Sequence, residues 1–191
     1  RKRNSFRMTN QLRIFLETAG ITLPQPTIQQ CAEFCHALLE ENQKINLVSR
    51  SITEKELLLK HVVDSIMGFF VLAPASIQNL KNAIDVGSGG GIPGLILAIL
   101  TPHISWTLLD ATQKKMHACQ NIALKLGLKN VVCITGRSET LAHAKTFRES
   151  FDLATVRAVA KLPVILEYCL PFVRLHGSVL CYKGTAALTE T

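Results

Sequence analysis

The stretch Asp85-Val-Gly87-Ser-Gly89-Gly90-Gly91-Ile92-Pro93-Gly94 carries the clearest chemical content in this sequence. It follows the apolar run Ala83-Ile-Asp-Val86 and precedes an apolar segment from Pro93 to Leu100. It therefore reads as the turn between a strand and a helix that has proline in its first turn. Glycine lets such a turn tighten and lets a ligand approach the main chain without meeting a Cβ. Nicotinamide enzymes share the Gly-x-Gly-x-x-Gly pattern, and a tight turn with no ligand is the plain alternative. Asp85, two residues before Gly87, extends the pattern to Asp-x-Gly-x-Gly-x-Gly. A carboxylate there repels a pyrophosphate but suits a ligand carrying an ammonium and a sulfonium, as S-adenosyl-L-methionine does. Asp110 ends the next apolar run, where an acid accepts both ribose hydroxyls, although NAD-binding folds place an acid there too. Asp85, Gly89 and Asp110 are the cofactor-binding residues that this spacing nominates.

What is missing narrows the reaction. Enzymes that methylate exocyclic amines of adenine or cytosine usually carry an Asp/Asn-Pro-Pro-aromatic motif after the fourth strand, where this chain has Arg157-Ala158-Val159. Methylation of pyrimidine carbon-5 needs a nucleophilic cysteine, typically beside proline, and the chain has no Pro-Cys pair. An acceptor with its own free lone pair, such as guanine N7, needs no general base. Catalysis is then placement of that atom in line with the methyl group. The six cysteines have no Cys-x-x-Cys or zinc spacing and sit in apolar runs, so they read as reduced core residues of a cytoplasmic protein, with no metal site.

These residues need a frame. Up to about residue 75 the chain reads as helices. One lies around Leu12 to Ala19 and stops at Gly20, ahead of Pro24 and Pro26. A second opens on the capping-box form Thr27-Ile-Gln-Gln30, with Ile28, Cys31, Cys35 and Leu38 at helical spacing. A third opens on Thr53-Glu-Lys-Glu56, with Leu58, Leu59, Val62, Val63, Ile66 and Phe70 on its apolar side. From about residue 82, strands at 83–86, 104–109, 131–135, 151–156 and 178–182 alternate with helices from Pro93, Thr112, Glu139 and Leu162. That alternation means βαβ units, a parallel sheet and helices on both faces. In such a sheet, ligands bind at the carboxyl ends of the strands. The expected organisation is one structural domain, with a helical extension over 1–75 and an S-adenosylmethionine-binding core over 76–191. A complete sheet of this type normally adds two more strands, so the chain is expected to lack its last part.

The chain resembles the RsmG (GidB) family of guanine-N7 methyltransferases of 16S ribosomal RNA. The matching pieces are Asn46-Leu47, Lys60-His61-Val-Val-Asp64-Ser65, the glycine loop, Leu108-Leu109-Asp110 with Lys114, and Leu126-Gly-Leu128. They continue through Arg137-Ser138-Glu139, Phe151-Asp152, Arg157-Ala158 and Tyr182-Lys183-Gly184. The resemblance implies an α/β fold, the Rossmann-like class I S-adenosylmethionine-dependent methyltransferase, acting on a guanine in the decoding-centre loop of the small subunit. It implies cofactor contacts at Gly87, Ile92, Ser138, Glu139 and Arg157, with Glu139 reading the adenine end. Val48, Ser138 and Val156 depart from the family's usual residues. Lys60, His61, Asp64 and Arg157 are the candidates for positioning the RNA or a flipped base. On spacing alone, a solvent-facing ion pair between Lys60 and Asp64 is the favoured reading.

A formal charge of +7 suits a polyanionic partner, here 16S rRNA or a small ribosomal subunit precursor bound by a monomer. No apolar run approaches the roughly 18 residues of a membrane span. The basic stretch Arg1, Lys2, Arg3, Arg7 and Arg13 reads as a solvated tail, and Asp152, at the far end of its strand, as structural. A methyltransferase for a small molecule and an NAD-binding oxidoreductase are the alternatives.

Overall fold

The computed structural model describes residues 2–72, 74–157 and 161–183; Arg1, Ala158, Val159 and Gly184, named above, lie outside them. Helices come first: α1 (Lys2–Thr18), α2 (Gln25–Asn42), α3 (Glu54–Leu57), a π-helical turn (Leu58–Val63), α4 (Asp64–Phe69) and α5 (Pro74–Asn79). The alternating part runs β1 (Asn82–Val86), α6 (Gly94–Leu100), β2 (Ser105–Asp110), α7 (Gln113–Lys125), β3 (Val131–Thr135) and α8 (Ser138–Leu141). It continues with β4 (Phe151–Arg157), α9 (Leu162–Cys169), a 3-10 turn (Leu170–Phe172) and β5 (Val173–Tyr182). The described strands form a five-stranded parallel sheet in the order β3-β2-β1-β4-β5. The chain moves outward from β1 through β2 to β3, then crosses back to place β4 on the other side of β1. A crevice therefore opens at the carboxyl ends of β1 and β4.

Strand residues alternate between two apolar layers. Ala83, Leu108 and Leu153 pack with side chains of the helices from α1 to α4 and of α6 and α7. Ile84, Leu109, Ala154 and Val156 pack on the other face with Ile165, Cys169 and Phe172. Helices thus cover both faces, and β4, flanked on both sides, is buried along Phe151 to Val156. Among the fully buried side chains is Trp106, whose indole N–H donates to Thr101 Oγ1 at 2.9 Å. At the far end of β4, Asp152 accepts the Lys81 and Asn82 N–H groups at 2.5 and 2.9 Å and pairs with Arg174, a structural tie as expected.

The helical part departs from its sequence reading in three places. α1 begins at Lys2, so the basic stretch from Lys2 onward is helical rather than a tail, and Arg13 donates to Gln25 Oε1. Thr27 does not cap α2: Pro24 stands at the N-cap with no side-chain cap, and Pro26 occupies the first turn, where proline is preorganised. Gln30, expected to complete that cap, donates to the Leu126 carbonyl at 3.2 Å.

The cap at Thr53 does form. Glu56 N–H donates to Thr53 Oγ1 at 3.2 Å, and Thr53 N–H to Glu56 Oε2 at 3.1 Å. The helix then widens into the π turn, which shifts the phase of every later side chain. Leu58, Val62 and Ile66 stay buried, whereas Phe70, expected on the apolar side, is 42% exposed.

Gly68 faces β5 closely: a Cβ there would lie 2.4 Å from Tyr182 Cε1. That approach lets the Tyr182 hydroxyl donate to the Ser65 carbonyl at 2.7 Å. Gly68→Ala should raise intrinsic helix propensity by roughly 1 kcal/mol. Overpacking against Tyr182 should outweigh this and leave the variant about 1–2 kcal/mol less stable in chemical denaturation.

Candidate active site

The glycine loop folds back onto β2. Gly87 and Ser88 N–H groups both donate to the Leu109 carbonyl, at 2.8 and 2.9 Å. Gly91, at φ 80°, leads directly into α6, and a Cβ on it would sit 2.4 Å from Leu95 Cδ1. Only glycine allows this entry.

Beneath the loop lies Asp85, 1% exposed. Its Oδ2 accepts the Ser88 hydroxyl at 2.5 Å and the Gly94 N–H at 3.1 Å, and its Oδ1 accepts the Thr155 hydroxyl at 2.8 Å. Burial pushes its carboxyl up to about 6, against the opposing pull of these hydrogen bonds. Asp85 was expected to face the cofactor's ammonium, and here the structure corrects the sequence. The register places Asp85 beside Thr155 of β4, which turns the carboxylate inward, under the loop. Asp85 shapes the cradle without lining it.

Above the loop is a cavity of about 430 Å³. Gly87, Gly89, Ile92, Asp110, Ser138, Glu139 and Arg157, all nominated from the sequence, line it together. Asp110 Oδ2 accepts the Gly89 N–H at 3.0 Å and Oδ1 the Thr112 N–H at 2.8 Å. Each oxygen keeps lone-pair capacity for a ligand hydroxyl. Glu139 is exposed, and its carboxyl is held below the usual range, first by its own backbone N–H and then by the Ser138 and Tyr168 hydroxyls.

Sequence reasoning assigned no role to Lys115, Arg137, Tyr168, Leu47 or Val48, which also line the cavity. Tyr168 arrives from α9, and nothing local marks it. Leu47 and Val48 are placed by Asn42 near the end of α2, whose Oδ1 accepts their N–H groups at 2.8 and 3.0 Å. An asparagine closing a helix was the available signal.

Lys60, His61 and Asp64, the positioning candidates on this stretch, turn to different partners, and Lys60 and Asp64 do not pair with each other. The Lys60 ammonium turns away to Glu56 at 2.9 Å and lies outside the cavity lining. Asp64 pairs instead with Arg157, whose Nη1 donates to Oδ2 at 2.5 Å while Nη2 donates to the Lys60 carbonyl at 2.6 Å. The π turn and the end of β4 bring these partners together, which no spacing along one helix reveals. His61 lines the cavity, and its Nδ1 is buried with no hydrogen-bond partner. Burial, then the positive charge of Arg157, lowers its pKa, so the ring is neutral at neutral pH.

The cysteines offer no thiolate. Burial pushes Cys31 and Cys169 up to about 12 and Cys133 up to about 11. Cys119, beside the loop, is likewise raised, and its thiol donates to the Gly89 carbonyl at 3.4 Å. Cys133 and Cys181 are half-buried rather than core residues.

The cavity fits S-adenosylmethionine in size and in chemistry. Small-ligand sites run to roughly 300–1,000 Å³. A Cβ position on Gly89 meets nothing closer than 3.9 Å, so main chain faces open space there. An acid closes β2, a guanidinium closes β4, and the His61 nitrogen is left without a partner.

Sheet order, glycine loop and acid together define a Rossmann-like class I S-adenosylmethionine-dependent methyltransferase fold. Solved structures share it. A candidate O-methyltransferase of Klebsiella pneumoniae has a TM-score of 0.52 at 13% identity, covering 89% of this chain and 70% of that one. Cofactor-bound Rv0187 from MTB has a TM-score of 0.55 at 15% identity, covering 76% and 63%. The family model GidB, rRNA small subunit methyltransferase G, matches residues 27–191. Ribosomal RNA small subunit methyltransferase G of Moorella thermoacetica is 40% identical over 174 residues, 91% of this chain and 70% of its own length. The chain belongs to this family.

The two acids should separate on mutation. Asp110→Ala is expected to weaken S-adenosylhomocysteine binding about tenfold in calorimetric titration, with the unfolding midpoint nearly unchanged. Asp85→Ala strands three buried donors and should cost about 3 kcal/mol of stability. Asp85 binds its proton more tightly folded, at about 6, than at its ordinary 3.8. Its contribution is therefore full below the lower value and lost as pH rises through the higher one. Asp85→Asn should flatten that slope in denaturation series.

Proposed function

We propose that this protein transfers a methyl group from S-adenosylmethionine to N7 of a guanine in 16S ribosomal RNA. It acts in the cytoplasm, as a monomer, on the rRNA or a small-subunit precursor. One observation carries the choice of acceptor: among the described residues no cysteine lines the cofactor-sized cavity, and the nearby Cys119 thiol is held protonated by burial, so no thiolate is placed to attack a pyrimidine ring. An acceptor that brings its own lone pair, as guanine N7 does, fits a site without such a nucleophile. The choice of RNA rests on the ribosomal RNA methyltransferase relatives and on the charge of +7.

When bound, S-adenosylmethionine supplies an electrophilic methyl group on a sulfonium, which a lone pair takes without prior loss of a proton. The chain's own residues do the rest by placement. Asp110 holds the ribose, the glycine loop lets the ligand lie against main chain, and Leu47 and Val48 wall the mouth. Neutral His61 adds no like charge beside the sulfonium. The helical extension over 1–75 closes one side of the site, and the core from 76 onward supplies the other.

Methyl-label transfer to undermodified 16S rRNA, followed by mapping of the labelled base, tests this reading. Labelling at guanine N7 is expected, with binding that falls with salt by a log–log slope of about −0.7 per phosphate contacted on a single strand. Salt-insensitive transfer to a small acceptor would favour a small-molecule enzyme instead. Cysteine-to-serine variants should retain transfer wherever they fold. A folded variant that binds both substrates yet transfers nothing would sink the lone-pair mechanism.

A further inference from the structure

The charged groups of the cavity are ordered across the sheet. Glu139 follows β3, Asp110 closes β2, the glycine loop follows β1 and Arg157 closes β4. A nucleoside with its ribose at Asp110 and its base toward Glu139 sends its 5′ substituent over the loop toward Arg157. In S-adenosylmethionine that substituent is the methionyl arm, whose anionic group is a carboxylate.

Arg157 is not held by its own strand. Asp64 Oδ2 takes Nη1 at 2.5 Å, the Lys60 carbonyl takes Nη2 at 2.6 Å, and the Tyr182 ring centroid lies 5.8 Å from Cζ. A guanidinium has five N–H donors in a rigid fork; two are spent here, and three remain. Tyr182 is pinned in turn to the Ser65 carbonyl. The π turn, α4 and β5 thus form a bracket around one side chain that lines the cavity. The Asp64 side chain is 55% exposed and adds little to the core, whereas that of Arg157 is 19% exposed. An ordinary surface ion pair would leave the guanidinium free to swing; carboxylate, carbonyl and ring confine it from three sides.

We infer that Asp64 is a positioning residue. With the Lys60 carbonyl, it holds the Arg157 guanidinium at the cavity mouth in the orientation that receives the methionyl carboxylate of S-adenosylmethionine. The inference rests on the cofactor reading above and adds to it the end of the cofactor that Arg157 takes and the residue that aims it.

Calorimetric titration with S-adenosylhomocysteine and with its decarboxylated analogue tests this on the parent chain, Asp64→Ala and Asp64→Asn. The parent should bind the carboxylate-bearing compound about tenfold more tightly than the analogue. That ratio should fall to about threefold or less in Asp64→Ala and to an intermediate value in Asp64→Asn, with affinity for the analogue within about twofold of the parent. Ligand-free melting temperatures should stay within about 3 °C of the parent. An unchanged ratio, or an equal loss for both compounds, overturns the role of Asp64. If Asp64→Ala does not fold, the near-isosteric Asp64→Asn alone decides by the same ratio. No binding of S-adenosylhomocysteine by the parent overturns the cofactor reading itself, a result distinct from a failure confined to the variants.

Discussion

Burying a carboxylate costs several kcal/mol unless hydrogen bonds replace its water. Asp85 meets that cost with donors from three separate places: Ser88 in the loop, Gly94 at the start of α6 and Thr155 on β4. One side chain therefore sets the height of the loop above the sheet, the entry of α6 and the lateral position of β4. Gly94 is bare for the same reason, since a Cβ there would lie 2.7 Å from Asp85 Oδ2. The cavity floor, the Asp110 contact to Gly89 and the spacing between the ends of β1 and β4 all follow from this anchor. Residues that line the cavity depend on one that does not.

The helical layer is part of the same machine. Asn42 folds the 46–48 segment onto the loop, and a Cβ on Gly90 would meet Leu47 Cβ at 3.2 Å. The apolar cluster is continuous from Met8 through the helices to Leu153 of β4. Helices without any binding motif therefore supply two walls of the cavity mouth and the brace for Arg157. The cavity is built from residues dispersed between Leu47 and Tyr168.

Much of this was legible because it is local. Strands at 83–86 and 131–135, the helix from Leu162 and the turn of glycines announce themselves through runs, period and punctuation within a few residues. Asp110 was legible because a strand end has a defined place in a parallel sheet. The direction of Asp85 was not, since it depends on a register with Thr155, 70 residues away. Nor was the partner of Asp64: Lys60 at four residues competes on paper with Arg157 at 93, and only the packed sheet decides. Tyr168 and Arg137 enter the site through the placement of whole helices and loops, which periodicity does not encode. The π turn was hidden because Leu58, Val62 and Ile66 satisfy an unbroken α-helical stripe equally well.

That turn has a bearing on how the helix tolerates change in length. A helix advances about 100° per residue, so one residue more or less rotates everything beyond it by that angle. The six residues from Leu58 to Val63 absorb such a step in place. Losing one of them would let the ladder close into regular turns and leave Asp64 near its present bearing, whereas all six wound as regular turns would carry Asp64 round the axis, away from β4. The widening of this turn acts as an alignment screw, invisible to a count of hydrophobic residues.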